Sequence, residues 1–77
     1  MNPTSILSNS NKIRILNILK KGKVDFRGVM KSTRLPETVL KSLLDELVRD
    51  GFVKEINGTY EITEVGLKAL KYVGRVR

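Results

Sequence analysis

In "LVRDGFVKEINGTYEITEVG", Leu47 to Gly66, the apolar spacing changes from a helical period to a strand alternation and back to a helix. The alternation breaks at Asn57-Gly58. A two-residue type I′ turn needs positive φ at both positions, which Asn tolerates and Gly accepts freely. The turn dictates the register: Ile56 faces Thr59, Glu55 faces Tyr60, Lys54 faces Glu61 and Val53 faces Ile62. Val53, Tyr60 and Ile62 then share one face, and Lys54 with Glu61 forms a cross-strand ion pair on the other. A lone two-stranded hairpin is marginal in water. This one must lean on the helix before it and the helix after it.

The remaining patterns are helical. Residues 1–9 are polar with a proline and read as a flexible arm, leaving residues 10–77 as the folded domain. In "SNKIRILNILKKG", Ile15, Leu16, Ile18 and Leu19 gather on one side, and Gly22 is placed to end the helix. "VDFRGVMKST" has Asp25 as an N-cap and Phe26, Val29 and Met30 as a short apolar face, with Gly28 weakening the helix by about 1 kcal/mol relative to Ala. A third helix runs from Pro36 to a stop at Gly51. Its wheel centres an apolar arc on Leu40, Leu43, Leu44 and Leu47, edged by Val39 and Val48, and leaves Thr38, Lys41, Ser42, Asp45 and Arg49 on an open strip. Thr63 is a good N-cap for the last helix, "EVGLKALKYVGRVR".

At 77 residues the chain holds one core. It has no Cys and no His, which excludes disulfides, thiol chemistry and Cys/His metal sites, and no metal or other cofactor is expected. No phosphate-loop spacing occurs around "KKGK", and Ser and Thr without His have no ready base, so the chain does not read as an enzyme. No stretch reads as a signal peptide or a membrane span, and a cytoplasmic protein is expected. Fifteen Lys and Arg against eight Asp and Glu give a net charge of +7, a surplus that attracts polyanions. The first helix, the second-helix region and the tail are basic, and the acidic residues read as dispersed.

Leu35, Leu40, Leu44, Leu47, Gly51-Phe52-Val53 and, after the hairpin, "YEITEVG" with Leu67 and Leu70 resemble winged helix-turn-helix transcription regulators of the ArsR, MarR and small archaeal type. "NKIRILNILKKG" resembles their first helix, so the likeness covers residues 10 to 73. It implies a mainly α fold: three helices, a two-stranded wing and a C-terminal helix. It also implies double-stranded DNA as the partner, with the third helix in the major groove. Thr38, Lys41 and Ser42 would read base edges, and Arg27, Lys31, Arg34 and Lys54 would contact the phosphate backbone. The role implied is a repressor or an architectural accessory factor; a protein-protein interaction module on the same fold, without DNA contact, is the alternative.

Two departures stand out. Arg34 occupies a tight-turn position that is often Gly in such domains, and the wing tip carries no Lys or Arg. The last helix has more apolar residues than one face can hold. Leu67 and Leu70 are assigned to the core, which leaves Ala69, Tyr72, Val73 and Val76, with Val65, as a homodimer interface.

Overall fold

Four helices and three strands follow in the order α1 (Ser10–Lys20), β1 (Val24–Asp25), α2 (Phe26–Thr33), α3 (Glu37–Arg49), β2 (Val53–Ile56), β3 (Thr59–Ile62) and α4 (Glu64–Val76). The computed structural model describes residues 9–76, and the side chains of residues 9–73. Residues 1–8 of the expected arm therefore lie outside the described residues. Asn9, assigned to that arm, is the N-cap of α1: its Oδ1 accepts from the N–H groups of Asn11 (3.0 Å) and Lys12 (3.2 Å).

The hairpin forms in the register its turn dictates, from Ile56↔Thr59 to Val53↔Ile62. Asn57 (φ 51°) and Gly58 (φ 80°) supply the two positive angles. The sheet has a third strand that the sequence pattern does not show. β1 pairs antiparallel with the free edge of β3, Val24 opposite Tyr60 and Asp25 opposite Thr59, giving the order β1-β3-β2. Two residues are too few to carry an alternation, and what they add is to cover an edge that would otherwise stay open.

Leu40, Leu43, Leu44 and Leu47 are buried on the inner face of α3, against Ile15, Leu16 and Leu19 of α1 and Val29 of α2. Val39 and Val48 stay exposed at the edges of that face. The end of α3 is closed by a Schellman pair: Phe52 N–H donates to the Leu47 carbonyl (2.9 Å) and Gly51 N–H to that of Val48 (3.1 Å). Both Leu47 and Phe52 are buried, so the cap also turns the chain into the core. Thr63 then starts α4, its Oγ1 accepting from Gly66 N–H (3.1 Å) while donating to the Gly51 carbonyl (2.6 Å).

The face that α4 turns inward differs from the expected one. Ala69 and Val73, placed in the dimer stripe, are 5% and 8% exposed and belong to the core, whereas Leu67, assigned to the core, is 38% exposed. Leu70 packs partly against the core as expected, and the Val76 side chain lies outside the described residues. The cause is Gly66. Its Cα approaches so closely that a Cβ there would overlap the Phe52 carbonyl oxygen and the Ile62 side chain. Gly66, Ala69, Leu70 and Val73 follow at helical spacing, and this small-residue face draws α4 in toward the chain at Phe52. Of the expected stripe, Tyr72 remains outside at 43% exposure, beside Val65.

Candidate nucleic-acid interface

The segment between α2 and α3 sets the position of the open strip on α3. Thr33 is buried, and its hydroxyl donates to the Val29 carbonyl (2.9 Å) while accepting from Leu35 N–H (3.4 Å). Arg34 takes the left-handed conformation (φ 59°, ψ 26°), and its N–H closes on the Met30 carbonyl (2.7 Å). The tight turn that the sequence flags is thus made by an arginine where glycine is the usual solution. From α1, the Arg14 guanidinium donates to the Thr33 carbonyl (3.0 Å), tying the first helix to the end of the second.

A second tie runs from α1 to α3. Lys12 Nζ lies 2.8 Å from Glu46 Oε1, with the lysine side chain only 8% exposed. Its hydrogen bond and charge hold the Glu46 carboxyl below the usual carboxylate range, with Arg49 adding to the effect and burial opposing it. Sequence reading passed over Lys12, yet the signal was there. On the wheel of α1, Lys12 lies between Leu16 and Leu19, at the centre of the apolar face. A cation in that position needs a carboxylate from another element.

With its inner face fixed, α3 presents Glu37, Thr38, Lys41, Ser42 and Asp45 along one shallow surface depression. All three expected base readers, Thr38, Lys41 and Ser42, are exposed there. Lys41 and Asp45 stand 3.7 Å apart as an exposed i,i+4 pair, an interaction of a few tenths of a kcal/mol that a ligand readily replaces. Tyr60 of β3 borders the same region: burial pushes its phenol above the ordinary value, helped by Glu55 and Asp45 and opposed by Lys41. At the N-terminus of α3, Pro36 offers no side-chain cap, and Glu37 is the acidic residue of the first turn.

The expected backbone residues do not gather equally. Arg27 and Lys31 are exposed one helical turn apart on α2, and Arg34 follows them at the turn. Lys54 stands apart on the outer face of the sheet, 3.1 Å from Glu61 in the anticipated cross-strand pair. The acidic residues are not dispersed. Residues 37–64 hold seven of the eight carboxylates and three of the fifteen cations, a net charge of −4. Residues 1–36 hold eight cations and one carboxylate, and residues 65–77 four cations and no carboxylate.

A family model described as winged helix-turn-helix matches residues 12–77. No curated protein matches in sequence. Among solved structures, the chain is similar to the reduced form of MarR from E. coli, at 18% identity and a TM-score of 0.78 over 83% of this chain and 49% of that one. Ligand-free NadR gives 20% identity and a TM-score of 0.80, over 88% and 53%. Reduced HlyU from Vibrio cholerae gives 19% and 0.73, over 95% and 79%. The chain spans about half the length of the first two (49% and 53%). At these identities the likeness is one of fold.

Proposed function

Because the chain belongs to the winged helix-turn-helix family, we propose that it is a duplex-DNA-binding transcription regulator, a repressor or an architectural accessory factor, that lays α3 in the major groove. The observation that carries this reading is the strip on α3. Thr38, Lys41 and Ser42 are exposed side by side on a helix whose opposite face is locked into the core by four leucines. Thr38, Lys41 and Ser42 would read base edges, and Arg27, Lys31 and Arg34 would fix position on phosphates. Lys54 joins them only by exchanging Glu61 for a phosphate. The cytoplasm is the proposed location; among the described residues no helix is long and apolar enough to cross a membrane.

A homodimer is part of this proposal, now through the exposed Val65 and Tyr72 of α4 rather than through Ala69 and Val73. Two copies of α3 about 34 Å apart would then meet an inverted repeat. Sedimentation equilibrium at micromolar concentration should read about twice 8.7 kDa, and a mass that stays at the monomer value removes the dimer.

Selection from random duplexes at stated salt tests the main reading. A preferred motif should emerge, with log affinity falling against log salt at a slope of roughly −4 to −5 for about four to six phosphate contacts. No binding at ~50 mM salt, or binding indifferent to salt, would favour the second reading. That second reading, a protein-interaction module, is supported by one observation: the net charge of −4 over residues 37–64, a surface better suited to a basic protein than to phosphate.

A further inference from the structure

Five of the eight carboxylates have a structural task. Asp25 caps α2, Glu37 and Glu64 stand in the first turns of α3 and α4, and Glu46 and Glu61 are paired with Lys12 and Lys54. Asp45 is poorly placed for one. It lies in the C-terminal half of α3, where the helix dipole gives no support to an anion, and aspartate is a weak helix former. Its pair with Lys41 has the lysine on the N-terminal side, which is the weaker of the two orders for an i,i+4 ion pair. On the wheel of α3, Asp45 falls between Lys41 and Thr38 on the open strip, and the side chains of Lys41 and Asp45 are both more than half exposed. Whatever meets the strip therefore meets this carboxylate.

Phosphate repels a carboxylate, but the base edges of the major groove sort themselves against one. An ionised carboxylate only accepts hydrogen bonds, and a lysine only donates them. Guanine O6 and N7 and thymine O4 are acceptors, so Asp45 can bond only cytosine N4 or adenine N6. The lysine and the carboxylate together match one base pair. In G·C, guanine O6 and cytosine N4 are hydrogen-bonded to each other and so lie roughly 2.9 Å apart at the groove edge, an acceptor beside a donor. Lys41 Nζ and Asp45 Oδ1 stand 3.7 Å apart, a donor beside an acceptor. Laid on G·C, the lysine meets O6 with N7 in reach, and the carboxylate meets N4. Laid on A·T, the carboxylate at adenine N6 is repelled by the adjacent N7, and the lysine at thymine O4 is crowded by the methyl group.

We infer that Lys41 and Asp45 read one G·C base pair as a unit, Lys41 donating to guanine O6 and N7 and Asp45 accepting from cytosine N4. The inference rests on the proposed placing of α3 in the major groove; it adds Asp45 to the base readers and names the pair that is read. Lys41 alone is a flexible point donor that any acceptor edge satisfies. Asp45 supplies the selectivity, because it is repelled wherever the edge it meets is another acceptor.

Selection from random duplexes at ~50 mM salt, repeated with variants of the strip, is the test. The wild-type motif should hold one G·C pair at which an A·T pair lowers affinity about ten-fold or more. Asp45→Ala should reduce that discrimination to about three-fold or less, the part that Lys41 retains, and should bind a mixed-sequence duplex more tightly than wild type, since a carboxylate has left a surface that faces phosphates. Asp45→Asn, which offers a donor as well as an acceptor, should admit adenine at the cytosine position. Asp45 is exposed and alanine is the better helix former, so these variants keep the core. A motif that Lys41→Ala or Thr38→Ala changes and Asp45→Ala does not would overturn the inference while leaving α3 as the reader. Affinity that falls on all duplexes alike in Asp45→Ala, or full G·C discrimination in Asp45→Asn, overturns it as well, because the carboxylate then only props Lys41. If no motif is selected, or none of the strip variants alters it, α3 reads no base and the proposed function falls together with the inference.

Discussion

Helices α3 and α4 are both thirteen residues long, and both are apolar over more than one narrow stripe, yet they pack by different rules. α3 buries four leucines, so large side chains fill its contact with the core. α4 comes in on Gly66, close enough to meet the Phe52 backbone; Ala69 is buried and Leu67 is left outside. Burial on a helix therefore follows the distance to the neighbouring chain, and apolarity alone does not choose the face. Where the neighbour is a side chain, a large residue fits; where it is a backbone, only a small one does.

The strongest contrast sets one leucine of each helix against the other. Leu44→Ala should destabilise by about 2 to 5 kcal/mol, because the site is sealed and cannot collapse fully. Leu67→Ala should lose less than about 1 kcal/mol, since that side chain already meets solvent. Urea denaturation of the two variants measures both. Equal losses would mean that α4 turns Leu67 inward after all, and the contrast between the helices would go.

Gly66→Ala comes next and sharpens the same contrast. On helix propensity alone the change should stabilise by up to about 1 kcal/mol. A Cβ that overlaps the Phe52 carbonyl must instead push α4 outward, and we expect a net loss of about 1 to 3 kcal/mol. A variant that melts higher than wild type would show that the close approach is not what seats the helix.

These two helices also mark how much of the molecule could be read from its residues. The hairpin was legible residue by residue, since a period of two and a two-residue turn leave no freedom of register. The α3 face was legible for a similar reason: four leucines on one arc outweigh any alternative. α4 was not, because Ala69 is only weakly apolar on a wheel and nothing local says that the Phe52 backbone lies against Gly66. β1 is two residues without a period, and its partner is more than thirty residues away. At the candidate site, the exposure of Thr38, Lys41 and Ser42 followed from the α3 wheel, and the Lys54–Glu61 pair from the hairpin register. That this pair occupies the wing cation assigned to phosphate follows from the same register. The buried Lys12 and the segregation of carboxylates into residues 37–64 were visible in the chain and needed only to be counted.

Attachment by charge separates the helices as well, and pH probes it. α3 is tied to α1 by Lys12–Glu46, whereas among the described residues α4 makes no ion pair. The Glu46 carboxyl is held below its ordinary value of 4.5, first by its hydrogen bond from Lys12 and then by the charge of that lysine. A depressed carboxyl stabilises the fold above the unfolded-state value and loses that contribution as pH falls through the lowered one. The urea midpoint should therefore fall as pH drops below the ordinary Glu value of 4.5, and Glu46→Gln should show a shallower decline from a lower starting point. If the variant and the wild type decline in parallel, the acid sensitivity resides in other carboxylates and Lys12 is satisfied without Glu46.

The smallest effect concerns how each helix begins. α4 starts from Thr63, whose hydroxyl caps it without strain, whereas α3 follows Arg34, held at φ 59°, with no side-chain cap at Pro36. A β-carbon in that conformation costs about 1 to 2 kcal/mol. Glycine removes this conflict but gives the unfolded chain more freedom, by roughly 0.5 to 1 kcal/mol. Arg34→Gly should thus raise stability by a few tenths to about 1 kcal/mol, even though a charged residue is lost from an exposed position. If the arginine serves as a phosphate contact, the same variant should weaken binding to all duplexes alike and reduce the salt slope by about one. Asn57→Gly at the wing tip is the matched comparison, because Asn57 also has positive φ (51°) but carries no charge. It should change stability less, since Asn tolerates the conformation, and leave the salt slope alone. A stabilised Arg34→Gly protein with undiminished affinity would remove Arg34 from the interface, and a destabilised one would mean that the side chain, not the backbone, holds the turn.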